Sequence, residues 1–151
     1  MKLKWEIKTW EDLTTLELYD LMALRCAVFV VEQNCPYQDA DGKDLKSYHV
    51  WARDESGVMV AYARLVKPGV SYTEWSIGRV VTSGTVRMLG AGKELMRVSL
   101  DYLKDTLSAP SVRISAQQYL TKFYASFGFV QVSEPYLEDD IPHVEMLLKW
   151  K

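Results

Sequence analysis

The sequence is short of the features that would place it outside the ordinary globular class. Two cysteines, Cys26 and Cys35, in 151 residues are too few for a disulfide-stapled module, so free thiols and a cytoplasmic setting are expected. A basic excess is also missing: 18 Lys and Arg against 20 Asp and Glu leave a net charge of −2. Proteins that grip nucleic acid by releasing counterions carry the opposite balance, so no nucleic-acid partner is expected. Apolar runs such as Ala27–Val31 fall far short of the ~20 residues that span a bilayer. The opening Met1-Lys2-Leu3-Lys4-Trp5-Glu6 is charged with no apolar region behind it, so neither a signal peptide nor a membrane partner is expected. Repeats, linkers and low-complexity segments are absent from the chain.

What is present is the composition of a folded domain, with 48% hydrophobic, 12% aromatic and 25% charged residues. The length fits a single domain over residues 1–151, able to bury about 70% of its unfolded surface. Lys2–Thr9 alternates Leu3, Trp5 and Ile7 with charged residues, a half-buried strand pattern. Asp12 or Thr14 then caps a helix running to about Val31, with Leu18, Leu21, Met22, Val28 and Phe29 on one face and Arg25 inside that stripe. A polar loop covers Glu32 to Lys46. Strands are expected at Tyr48–Asp54 and Val58–Val66 around the turn Glu55-Ser56-Gly57, and again at Glu74–Thr82. A long helix starts near Arg87–Gly92 and ends near Thr106; a short strand, Ser111–Ser115, follows. Leu120, Phe123, Tyr124 and Phe127 form a second helical stripe that Gly128 stops. Phe129–Val132 and His143–Trp150 are the last strands, joined by an acidic loop. The mixture predicts an α+β or α/β class.

The most informative stretch is Ile77 to Lys93, where a strand enters a glycine-containing loop that opens a helix. Free N–H groups at a helix N-terminus favour phosphate, and Gly90 and Gly92 allow close backbone approach. Two nucleotide motifs fail here: Gly92-Lys93 is followed by Glu94 rather than Ser or Thr, and Leu95 stands where a dinucleotide fingerprint needs glycine. The remaining pattern, Arg87-x-x-Gly90-x-Gly92, resembles the acyl-CoA pyrophosphate loop of the GNAT N-acetyltransferases. Tyr124-Ala125-Ser126-Phe127-Gly128-Phe129 matches that superfamily's second motif, and the element order agrees over nearly the whole chain. Leu24 to Gln33, Pro36-Tyr37, Asp39-x-Asp41 and Leu137-Glu138-Asp139-Asp140-Ile141-Pro142-His143 resemble the ElaA-like branch, with Asp139-Asp140 where that branch commonly has Asp-Gly.

The resemblance implies a mixed central sheet flanked by four helices or fewer, with acetyl-CoA wedged between strands ending near Val81 and Ser115. Arg87, Met88, Leu89, Gly90, Ala91, Gly92 and Lys93 would hold the pyrophosphate. The backbone of Val80, Val81 and Thr82 would pair with the pantetheine arm, an N–H near Val81 polarising the thioester carbonyl. Gln117 stands where many members carry a cofactor-contacting asparagine. Tyr124, a core aromatic by spacing alone, would be the general acid for the leaving thiolate. The implied activity is acetyl transfer to a primary amine of a small molecule or peptide, and homodimers are common in the superfamily. A non-catalytic CoA-binding or protein-interaction domain is the alternative.

Other polar residues carry two readings. Glu32, Asp39, Asp41 and Asp44 are a solvated loop face, or an acidic rim that attracts an amine cation, with Glu32 or Asp41 guiding it. Arg25 pairs with one of these acids or with a substrate carboxylate. His49 and His143 are structural histidines at strand ends or substrate contacts. Together with Cys26 and Cys35 they fit no metal-ligand spacing, and no metal is expected.

Overall fold

A computed structural model describes residues 2–150. Strand β1 (Lys4–Thr9) leads through Thr14 into helix α1 (Thr15–Arg25). Thr14 makes a reciprocal cap: its hydroxyl accepts from the Glu17 N–H at 3.1 Å, and Glu17 accepts from the Thr14 N–H at 2.9 Å. The expected helix to Val31 is α-helical only as far as Arg25; Cys26–Glu32 continues it with wider π-helical turns. Then come β2 (Ser47–Arg53), β3 (Met59–Val66), β4 (Ser76–Thr82), α2 (Ala91–Asp101), β5 (Ser111–Gln117) and α3 (Thr121–Ala125). Strands β6 (Val130–Gln131), β7 (Tyr136–Glu138) and β8 (Ile141–Lys149) close the chain. Among the described residues no helix is long and apolar enough to cross a membrane.

The class is α+β, as expected, and the strands form two antiparallel four-stranded sheets. One has the order β1-β2-β3-β4; in the other, β8 pairs with β5, β6 and β7. A single parallel bridge, Trp75 with Val112, joins them, and the Arg113 N–H donates to the Trp75 carbonyl at 2.9 Å. Beyond that bridge β4 and β5 run without pairing, as the expected splay requires. A bulge in β4 accompanies the parting: Arg64 faces Gly78 and Tyr62 faces Val81, so Ala63 stands opposite both Arg79 and Val80. Arg79 takes a left-handed conformation, φ 50°, which β-carbon sterics disfavour and the surrounding ion pairs must hold.

The stretch expected as an acidic loop contains strand β7. Asp139 and Asp140 both have positive φ, 51° and 62°, and Glu138 pairs with Ile141 across them. Positive φ at both central residues defines the two-residue hairpin turn, and aspartate tolerates it through local hydrogen bonding. At three residues, β7 is too short for alternation to reveal it.

One apolar core lies under α2, where Leu95, Met96 and Leu103 meet Val50, Ala63 and Leu65 of the first sheet and Ile114, Val144 and Met146 of the second. Helix α1 covers the other face of the first sheet, packing Leu21, Leu24 and Val28 on Trp51, Tyr62 and Val81. Among the described residues no helix packs on the matching face of the second sheet. There β5 alternates buried Val112, Ile114 and Ala116 with half-buried Arg113, Ser115 and Gln117. This polar face borders the gap between the sheets.

Candidate functional site

A cleft occupies the gap where β4 and β5 part. Val80, Ser115, Gln117, Tyr124, Glu138 and His143 line it, with Phe29, Gln33 and Cys35 from the segment after α1 on its far side. Tyr124 is anchored edge-on to Phe123 and Phe129, with ring centroids 5.2 and 6.1 Å away. Burial pushes its phenol up to about 12, with Tyr119 adding to the shift, so the hydroxyl holds its proton at neutral pH. Among the described residues no side chain or carbonyl engages that hydroxyl, and it borders the cleft.

The glycine loop lies at the end of β4. Arg87–Leu89 makes one 3₁₀ turn, and Gly90 at φ 81° reverses the chain into α2. That conformation is the reason position 90 is glycine. No side chain caps α2, so its first N–H groups are open to an anion. A second recess beside them is lined by Gly90, by Lys93, Glu94 and Arg97 of α2, and by Ser126 and Phe127; Glu94 accepts from the Trp5 indole at 2.7 Å. Gly92 is under no comparable backbone demand: a β-carbon there would meet only Phe123 Cζ, at 4.0 Å. Ala91 is buried against Val60 and Val86, whereas Met88 and Leu89 are exposed. The Val81 side chain packs under α1, and Thr82 is half-buried at the strand end.

Arg87 is already engaged. It binds Glu32 at 2.5 Å and donates to the Thr82 carbonyl at 2.8 Å, tying the end of the first helical segment to the glycine loop. The Arg87 hydrogen bond holds the Glu32 carboxyl below the usual carboxylate range. Glu32 is therefore paired, not a free guide for an amine.

Burial decides between the readings of three further groups. Arg25 is fully buried, with Asp39 and Asp44 each 2.8 Å away, so it pairs with the loop acids and not with a substrate carboxylate. His49 is also fully buried; it contacts the Tyr62 hydroxyl at 2.6 Å and the Asp44 carbonyl at 2.9 Å. Since a carbonyl only accepts, Nε2 carries the proton and Nδ1 accepts from Tyr62. Burial drives the His49 pKa down and keeps the ring neutral. The acidic loop is not a solvated rim: Asp39 and Asp44 are buried, and Asp41 pairs with Arg64 at 2.6 Å and Arg79 at 3.3 Å. Burial opposes the Asp41 and Asp44 charges, but the guanidinium partners prevail and hold both carboxyls below their usual range.

Sequence reasoning missed Arg64 and Arg79, which complete this cluster, because they are ordinary strand positions 15 residues apart. It also left Ser115, Tyr136 and Glu138 without roles. Ser115 and Tyr136 hydroxyls are 2.5 Å apart, and Ser115 donates to Glu138 at 3.0 Å. His143 Nδ1 is 2.7 Å from the Ile141 carbonyl, its Nε2 is 3.5 Å from Glu138, and its ring stacks on Tyr136. The period-two alternation of Arg113, Ser115 and Gln117 was the available signal for this face. The register across β5, β7 and β8, which sequence does not give, brings the four together.

A sheet parted at one edge, with a tyrosine in the gap and an uncapped glycine-led helix at its end, is the architecture of an acyl-CoA N-acyltransferase. Residues 18–150 match the acetyltransferase (GNAT) domain model, and the chain belongs to that family. It is 43% identical over 148 residues to protein ElaA of Escherichia coli, covering 95% of each chain. A UPF0039 protein of Synechocystis is 40% identical over 149 residues, covering 99% of this chain and 97% of the relative. The crystal structure of an acyl-CoA N-acyltransferase from Pseudomonas aeruginosa superposes with a TM-score of 0.91 at 45% identity, over 97% of this chain and 99% of that one. That of E. coli ElaA also superposes at 0.91, over 98% of this chain and all of the other.

Proposed function

We propose that this chain is an acetyl-CoA-dependent N-acetyltransferase acting on a primary amine of a small molecule or peptide, with amine and thioester bound together. The observation that carries the reading is the unengaged Tyr124 hydroxyl in the β4–β5 cleft, with the uncapped start of α2 in the loop that follows β4. The open N–H groups of Gly90–Lys93 and the nearby Lys93 and Arg97 suit a pyrophosphate. The unpaired edge of β4 beyond Trp75 suits an extended amide-bearing arm, and an N–H near Val81 suits a developing oxyanion. Acetyl-CoA supplies the activated acyl group. Holding both reactants in one cleft supplies much of the acceleration. The amine attacks the carbonyl, the C–N bond forms, the C–S bond breaks, and Tyr124 protonates the sulfur.

The test is thiol release from acetyl-CoA across an amine library, for wild type and Tyr124→Phe. Loss of the proton donor should lower kcat by ~10²–10⁴-fold while CoA affinity and melting temperature hold. A folded Tyr124→Phe with unchanged turnover, where chemistry limits the rate, overturns the general-acid role. CoA binding without thiol release from any amine would return the chain to the non-catalytic alternative.

A further inference from the structure

The polar face of the second sheet carries a pair of groups that nothing so far uses. His143 Nδ1 lies 2.7 Å from the Ile141 carbonyl, an atom that only accepts, so Nδ1 bears the proton. Nε2 therefore faces the Glu138 carboxylate, 3.5 Å away, at the outer limit of a direct hydrogen bond. Together the two atoms make a receptor for a cationic donor. Glu138 is fixed for this position, since Ser115 donates to its other oxygen at 3.0 Å and Tyr136 in turn contacts Ser115. His143 is nearly buried, Glu138 is half-exposed, and both border the same cleft as Tyr124.

We infer that the acceptor ammonium is received between His143 Nε2 and Glu138, and that His143 takes its proton before attack. The inference rests on the acetyl-transfer reading above. His143 is then a catalytic residue, while Ser115 and Tyr136 position Glu138. The nitrogen loses two protons in the reaction. The first passes to Nε2, leaving the lone pair that attacks the thioester carbonyl. The second leaves as the C–S bond breaks and restores the Tyr124 hydroxyl, which has protonated the departing sulfur. The imidazolium, stabilised by Glu138, returns its proton to solvent along that half-exposed carboxylate. Amide, thiol and one proton result. The other ionisable groups on this face are Tyr136, Tyr72, and Arg113 with its partners Glu74 and Glu145. Asp139 and Arg79 border the cleft from the turn and from β4. Arg79 is bound to Asp39 and Asp41, which leaves Glu138 and Asp139 as the charges that draw an ammonium into the cleft.

Two acceptors of nearly equal size separate a base from a structural residue. Ethylamine is an ammonium at neutral pH and needs deprotonation; 2,2,2-trifluoroethylamine is already neutral. His143→Asn retains a donor for the Ile141 carbonyl and removes Nε2. Acetyl transfer to ethylamine should fall by ~10²–10⁴-fold, and transfer to trifluoroethylamine by far less. Equal losses with both amines overturn the base assignment alone. Wild-type protein that binds acetyl-CoA yet releases thiol with neither of these nor any other amine of the library overturns the acetyl-transfer reading, and this inference with it. A second measurement does not depend on turnover. Calorimetry of ethylammonium binding to the CoA-loaded protein should show affinity falling ~10-fold or more in Glu138→Gln. Binding unmoved by that substitution overturns the pairing.

Discussion

Two polar clusters sit on either side of the β4–β5 gap, and they are built on opposite principles. Beside the first sheet, Arg25 of α1, Arg64 of β3 and Arg79 of β4 meet the loop residues Asp39, Asp41 and Asp44 at 2.6–3.3 Å, mostly out of water, with equal numbers of each charge. In the second sheet, Ser115, Tyr136, Glu138 and His143 form a chain of polar contacts that ends on His143 Nε2 at the cleft. The charge-matched cluster is closed off from solvent and serves the fold: it pins the loop before β2 and the bulge in β4 that goes with the opening cleft. The second cluster faces the cleft and keeps capacity for a reactant. Buried charge alone therefore does not mark a site; unmatched hydrogen-bonding capacity facing a cleft does.

The contrast is most severely tested by Arg25→Ala. Removing the cation strands Asp39 and Asp44 in the interior, and should cost about 3–5 kcal/mol in denaturant unfolding. A loss near zero would mean that water replaces the guanidinium and the cluster is no structural unit. Acid offers a graded version of the same test. Asp41 and Asp44 have folded pKa values below the ordinary 3.8, so their stabilisation is complete above that pH and is lost as pH falls through the depressed values. Melting temperature should decline below about pH 4 in wild type, and Asp44→Asn should weaken that dependence. The second cluster should respond differently. Ser115→Ala removes two hydrogen bonds, to Tyr136 and to Glu138, and should cost about 1–2 kcal/mol in denaturant unfolding. The smallest effect is expected at Glu32→Gln. Melting should hardly change, since the Glu32–Arg87 pair is surface-exposed. Calorimetry should show CoA binding modestly tighter as Arg87 is released, and weaker binding would assign Glu32 a supporting role in the loop.

A comparable split runs through the glycine loop. Gly90 is fixed by its own backbone, so replacing it confounds binding with strain. Gly92 is free of that demand, and Gly92→Ala should stabilise the helix start by about 0.4–1 kcal/mol while weakening CoA binding.

Periodicity and local chemistry determined much of this protein from the sequence alone. The apolar stripes of α1 and α2, the Thr14 cap, the hairpin around Glu55-Ser56-Gly57, the glycine loop and the Tyr124 motif all rest on interactions within a few residues, and the family they imply is the one found. Tertiary structure decided the rest. Whether Arg25 and His49 touch solvent depends on Arg64 and Asp44, which approach only when β2 and β3 pair. That Asp139-Asp140 makes a tight turn depends on β7 finding β8, since two residues at positive φ persist only when pairing on both sides holds them. The juxtaposition of Ser115, Glu138 and His143 likewise follows from strand register, a non-local quantity that one chain read in order does not contain.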